Sequence, residues 1–245
     1  MMRLSTVIAF CFVFASACVF IAIYNQVPRE IRPVDIRYIH KILEVADYKP
    51  EKLEFTHNYE QQLETIRAVQ DAALATTPQT EPIPPDTTRE PQDLYKRDAA
   101  NCSDRSRFMD KALRYLGFET RYAFVRASGE HGLVWHILAG TQEHTVQSHA
   151  LIEVKTSRGW LFVDSVSPWL ALTTENAPVS LEQWQQQREN PAFQWKEQPG
   201  GELFKLLERE FVYFYGLYSH HGRFYPPYWP IPDINWKTFL YNFTG

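Results

Sequence analysis

From Thr6 to Tyr24 the chain reads TVIAFCFVFASACVFIAIY, without a charged residue, about the length a helix needs to cross the hydrocarbon core of a bilayer. The run is longer than a signal-peptide core and favours an uncleaved transmembrane anchor, although Ala15-Ser16-Ala17-Cys18 also fits a cleavage or lipid-attachment site. After a juxtamembrane spacer, Leu63, Ile66, Ala68, Val69, Ala73 and Leu74 recur at near-helical spacing and predict an amphipathic helix over Tyr59 to Ala75. Pro78, Pro82, Pro84, Pro85 and Pro91 then predict a loop, because each removes a backbone donor and pushes the preceding residue toward extended geometry.

Helical periodicity returns at Cys102 to Leu116. Cys102, Ser106, Met109, Leu113 and Leu116 fall on one side, Phe108 and Ala112 widen the stripe, and Gly117 supplies a C-terminal stop. Thr120 to Arg126 alternates and is rich in aromatic and β-branched types, as a strand requires. Ser128 to Gln147 is less regular, with a short strand possible at Leu133 to Leu138. Ala150 to Lys155 and Trp160 to Val166 predict two strands joined by Thr156-Ser157-Arg158-Gly159, a hairpin connection. Beyond Pro178 the pattern predicts helices around Leu181 to Arg188 and Glu202 to Tyr218. A tail of eight aromatic residues and four prolines follows, expected as an irregular strap over the core. The division is 1–25 anchor or signal segment, 26–54 spacer, 55–175 core and 176–245 helical and aromatic extension.

Composition narrows the function. A chain of 245 residues that is 44% hydrophobic buries one sizeable core. A net charge of -4, with Lys and Arg scattered along the chain, offers no field for holding phosphates, so nucleic acid is not an expected partner. Arg3 precedes the apolar run, and Arg29, Arg32, Arg37 and Lys41 follow it, so a strict count of basic residues places the domain inside. Short N-terminal anchors commonly deliver their domain outward, and an extracytoplasmic, periplasmic domain on a single-pass anchor is the expectation.

Outside the apolar run the chain has one cysteine, Cys102, at a helix start, where unpaired N–H groups and the positive end of the helix dipole favour a thiolate. His149 heads one strand of the hairpin and Asp164 lies near the end of the other. Cross-strand neighbours are about 5 Å apart, so the two can meet on one face, and a helix packed there can present Cys102 to the imidazole. A lone Cys on an apolar helix face is more often a small buried hydrophobe, and His149 and Asp164 are each unremarkable alone. The order and spacing of the three carry the functional reading. His131, His136 and His144 fit no standard metal-ligand spacing with His149, and His220 and His221 are taken as surface residues. No metal or cofactor is implied.

Three stretches together resemble the transglutaminase-like superfamily: Asn101-Cys102-Ser103-Asp104 with the helix leading to Arg121-Tyr122, Ser148-His149-Ala150-Leu151-Ile152-Glu153-Val154, and Gly159-Trp160-Leu161-Phe162-Val163-Asp164. The chain has Ala100 where the family usually has glycine, and Leu151 where it has an aromatic residue. The resemblance implies an α+β, papain-like core in which a Cys-bearing helix packs on an antiparallel sheet bearing His and Asp. It further implies that Cys102 attacks a carboxamide or peptide carbonyl, that His149 holds the thiolate and protonates the leaving amine, and that Asp164 orients His149. The backbone N–H of Cys102 is one oxyanion donor, with Gln92, Tyr95 and Asn101 as candidates for a second.

The expected function is thiol-dependent acyl transfer at a membrane, on a peptide, protein or cell-envelope polymer, with hydrolysis preferred to crosslinking because water is always available. Two alternatives are a catalytically idle member that binds a peptide, envelope polymer or assembly partner, and an acyltransferase acting on an envelope polysaccharide.

Overall fold

The computed structural model describes residues 4–24, 26–49, 58–81, 83–84, 89–127, 148–187, 194–218 and 233–244. Four strands, β1 (Thr120–Ala127), β2 (Ser148–Thr156), β3 (Gly159–Val163) and β4 (Phe211–Tyr215), form one antiparallel sheet in the order β3-β2-β1-β4. Helix α5 (Cys102–Tyr115) packs on β1 and β2, and α3 (Tyr59–Thr76), α2 (Pro33–Val45) and α4 (Pro91–Lys96) pack around it. This is the mixed α/β arrangement with an antiparallel sheet expected of the transglutaminase-like core.

Local chemistry explains the elements that hold the site. Asn58 caps α3: its side chain accepts from Gln61 N at 3.0 Å while the Gln61 side chain accepts from Asn58 N. Asn101 does the same for α5 with Asp104, at 3.0 and 3.1 Å. Gly117 has φ +101°, and Phe118 N reaches back to Leu113 O, ending α5 within one turn of the β1 start. The β2–β3 hairpin turns at Ser157-Arg158, with Gly159 at φ +135°.

The sequence understated how much of α5 is covered. Besides Phe108, Met109, Ala112 and Leu113, the charged side chains Arg105, Arg107, Asp110 and Lys111 are buried. Each has partners, as burial of charge demands. Lys111 Nζ lies 2.9 Å from Asp35 Oδ2 on α2 and pairs also with Glu90, which Arg107 contacts at 2.9 Å. Asp110 accepts from Thr120 Oγ1 at 2.6 Å and from Arg114 at 3.1 Å. The segment read as a spacer thus contains a helix, α2, whose Ile39, Ile42 and Leu43 join the core.

Two further differences concern the C-terminal part. The helix read over Glu202 to Tyr218 is α7 (Gly201–Leu207) followed by β4. Phe211-Val-Tyr-Phe-Tyr is β-prone by type, and pairing with β1, Phe124 opposite Phe214, overrides continuation of the helix. α6 (Leu181–Gln187) forms where the first of the two helices was expected, and its Trp184 joins Phe162, Trp169 and Trp195 in a cluster with ring centroids 4.7 to 5.9 Å apart. In place of an irregular strap, the described end of the tail is β6 (Asp233–Ile234), paired with β5 (Leu217–Tyr218), and helix α8 (Trp236–Thr244). The possible strand at 133–138 lies outside the described residues.

Helix α1 (Leu4–Tyr24) occupies the apolar run, and its side chains are described at Thr6, Phe10–Phe20 and Ile23. Among the described residues no helix is long and apolar enough to cross a membrane, so the expected transmembrane helix is not found there. Val27, just beyond α1, donates its N–H to Ile234 O at 3.1 Å, which ties the end of α1 to the start of the C-terminal segment.

Candidate functional site

The hairpin register sets the first pair. Ile152 lies opposite Val163 on β2 and β3, so continuing the two strands brings 164–166 alongside 149–151. His149 Nε2 and Asp164 Oδ1 are 2.8 Å apart, and both side chains are buried. Asp164 is held from four sides. Its Oδ1 also accepts from Val166 N at 3.1 Å, its Oδ2 accepts from Ser167 N at 3.0 Å and from the Ser167 hydroxyl, and Ser165 Oγ anchors the turn to Ala150 O at 2.6 Å.

Cys102 is the first residue of α5 and is half-buried. Its thiol lies within electrostatic reach of His149, the Ala150 N–H and Ser103. With Nε2 taken by Asp164, Nδ1 is the ring nitrogen left for the sulfur. The structure therefore pairs His149 with Asp164 and sets Cys102 beside the imidazole.

Electrostatics polarise that chain. Burial pushes the Cys102 thiol up, but the hydrogen bond and charge of His149, the Ala150 N–H and Ser103 outweigh it and leave the thiol below its ordinary value. For His149, burial disfavours the cation, yet the Asp164 carboxylate and the Cys102 sulfur raise it to about 10. Asp164 is raised by burial and lowered more by His149, Ser167 and Val166, so it stays ionised. A lowered thiol beside a raised imidazole favours moving the proton from sulfur to nitrogen.

One supporting residue escaped the sequence reading. Gln70 on α3 is fully buried, and its Nε2 lies 2.8, 3.0 and 2.9 Å from the carbonyl oxygens of Asp164, Ser167 and Trp169. It clamps the turn that carries Asp164. Its only sequence signal is a polar residue on the apolar stripe of α3, between Ile66 and Ala73.

Of the candidates for a second oxyanion donor, Asn101 is committed to capping α5 through its carbonyl oxygen. Tyr95 is exposed and packs on Tyr38 and Lys41, and Gln92 is half-buried on α4. Among the described residues no group of His, Cys, Asp and Glu side chains is placed to hold a metal. His131, His136, His144, His220 and His221 lie outside them.

Residues 52–165 match the model of the transglutaminase-like superfamily. This stretch is a transglutaminase-like domain. The matched span runs from just before α3 to the residue after Asp164, so it contains Cys102, His149, Asp164 and the Gln70 clamp, and excludes β4 and α6 to α8. Members of the superfamily are usually cysteine hydrolases or transferases. No curated protein matches the chain.

Proposed function

We propose that the protein is a cysteine-dependent acyl-transfer enzyme acting at an amide or peptide bond through Cys102, His149 and Asp164. The observation that carries this reading is the buried His149–Asp164 pair, its carboxylate fixed by four donors, with the Cys102 thiol at the start of α5 beside the ring.

Cys102 Sγ attacks the carbonyl carbon as thiolate, and the oxygen gains the negative charge. The Cys102 backbone N–H, unpaired within α5 at its first position, is placed to donate to that oxyanion. His149 gives its proton to the amide nitrogen, the C–N bond breaks, and an amine leaves a thioester on Cys102. Neutral His149 then takes a proton from water as the water attacks the thioester. A carboxylic acid departs, and the thiolate and imidazolium are restored. An amine in place of water gives transamidation; hydrolysis is the proposed outcome. Asp164 keeps the ring oriented throughout.

The proposal extends to location. α1 exposes Phe10, Phe12, Phe14, Phe20 and Ile23, apolar side chains suited to lipid; an extracytoplasmic domain acting on an envelope peptide or polymer completes the proposal. Retention of the full chain in membranes after alkaline washing tests the anchor; release into the wash contradicts it.

The chemistry is tested by incubating the full chain with a library of peptide and amide esters and looking for an acyl adduct on Cys102 by mass spectrometry. An adduct that hydroxylamine removes, absent in Cys102→Ala and strongly reduced in His149→Ala and Asp164→Ala with unfolding midpoints retained, is expected. Full activity in either of the last two variants contradicts the assignment.

A further inference from the structure

Arg105 follows Cys102 by three residues on α5, so the two project from the same side of the helix, with Cβ atoms about 5–6 Å apart. Its guanidinium is almost wholly buried, at 2% exposure, and is among the largest fully buried side chains of the protein. It donates Nε to Thr77 Oγ1 at 3.0 Å and Nη2 to the Thr77 and Gln79 carbonyls at 2.6 and 3.1 Å. All of these acceptors are neutral, and Nη1 has no hydrogen-bond partner among the described residues. A buried arginine normally pairs with a carboxylate. Nearby Asp104 pairs with Arg89, and the Asp164 carboxylate is filled by His149, Val166 and Ser167. Among the described residues the charge of Arg105 acts on Cys102, Asp104 and Asp164 through space.

We propose that Arg105 is a positioning residue of the site, whose fixed buried charge compensates the two anions of the Cys102–His149–Asp164 chain and so holds Cys102 in its reactive, ionised form. A thiolate, an imidazolium and a carboxylate carry a net charge of about -1 in a dry site; one buried guanidinium brings the sum to about zero. The other charged or titratable groups around the sulfur are His149 on β2, Asp164 after β3, Asp104 with Arg89, and Tyr122 on β1. The inference rests on the proposed function.

The test is the pH profile of iodoacetamide labelling at Cys102 in the parent, Arg105→Gln, Arg105→Lys and His149→Ala proteins. Loss of the charge in Arg105→Gln raises the apparent pKa by about one unit, a tenfold loss of labelling rate on the acid side, whereas Arg105→Lys stays within a few tenths of the parent. A profile unchanged in Arg105→Gln, or shifted equally in both variants, overturns the role of the charge. If His149→Ala also leaves the profile unchanged, the proposed function fails; if only that variant moves it, the failure is of this inference alone. Should the neutral variant not fold, NMR of the guanidinium in the unaltered chain decides: its Nε resonance titrates with the Cys102 pKa if the two are coupled, and a resonance that ignores that titration overturns the proposal.

Discussion

Removing the thiol gives the most diagnostic stability change. Ordinary pKa values are about 6.5 for His and 8.5 for Cys, so between them the unfolded chain carries one proton on this pair, as a neutral thiol and a neutral imidazole. As a thiolate–imidazolium pair, the arrangement that the lowered Cys102 thiol and the His149 imidazole raised to about 10 favour, the folded chain also carries one proton. The proton has only moved from sulfur to nitrogen, and the pair contributes no pH dependence across that window. In Cys102→Ala the sulfur is gone, but the Asp164 contact, the largest of the influences raising His149, remains. Folded His149 then holds a proton that the unfolded chain has lost. A group whose folded pKa is raised stabilises fully below its unfolded pKa and less as pH rises toward the folded one. Cys102→Ala should therefore lose up to about 1.4 kcal/mol per pH unit above pH 6.5, or as much as about 2.7 kcal/mol by pH 8.5, relative to the parent. Urea unfolding of the full chain at half-unit steps, followed by tryptophan emission from the cluster around Trp169, measures the difference. Parallel stability curves for the two proteins would refute this reasoning, since they mean that Asp164 alone does not keep a proton on His149 once the sulfur is gone.

Three other perturbations follow from particular contacts. Gln70→Leu leaves the Asp164, Ser167 and Trp169 carbonyls without their shared donor; a loss of about 1–3 kcal/mol in urea unfolding is expected, with turnover falling further than stability because Asp164 shifts. Lys111→Met takes one partner from buried Asp35 and from half-buried Glu90, which keep Arg32 and Arg107, and should cost about 1–3 kcal/mol. Burial raises Asp35 but Arg32 and Lys111 lower it more, so its contribution is present above the ordinary carboxylate range and lost as pH falls through the folded pKa; in the variant, acid unfolding begins at higher pH. Gly216 has φ +78°, and a Cβ there would lie 2.7 Å from both Asn235 O and Phe239 N. Gly216→Ala should lower the thermal midpoint and unseat α8, measured as faster amide exchange over residues 236–244, while labelling of Cys102 is retained.

Much of the site was legible because its parts are local. The stripe of α3, the Gly117 stop and the β2–β3 hairpin are all written in short windows, and together they fix where Cys102, His149 and Asp164 fall. What was not legible depends on partners far along the chain. Lys111 and Arg107 look like the wet face of an amphipathic helix until Asp35 and Glu90 arrive from α2 and α4. Gln70 reads as a tolerated polar residue on an apolar stripe until the turn after β3 presents three carbonyls to it. β4 was mistaken for the end of a helix because Glu202 to Leu207 is helical and the FVYFY segment becomes a strand only through the free edge of β1. The spacer reading of 26–54 missed α2 for the same reason: its Ile39, Ile42 and Leu43 have meaning only against α3 and α5.

The central claim is that Cys102 and His149 form a thiolate–imidazolium pair. Its most direct test is the rate of iodoacetamide labelling at Cys102 across pH 4 to 10, in the full chain and in His149→Ala. The account predicts rapid labelling with an apparent pKa well below the free-thiol value of about 8.5, rising toward or past that value once the imidazole is removed. Slow labelling with an ordinary or raised pKa, the same in both proteins, would mean that Cys102 is a structural thiol and would contradict the account.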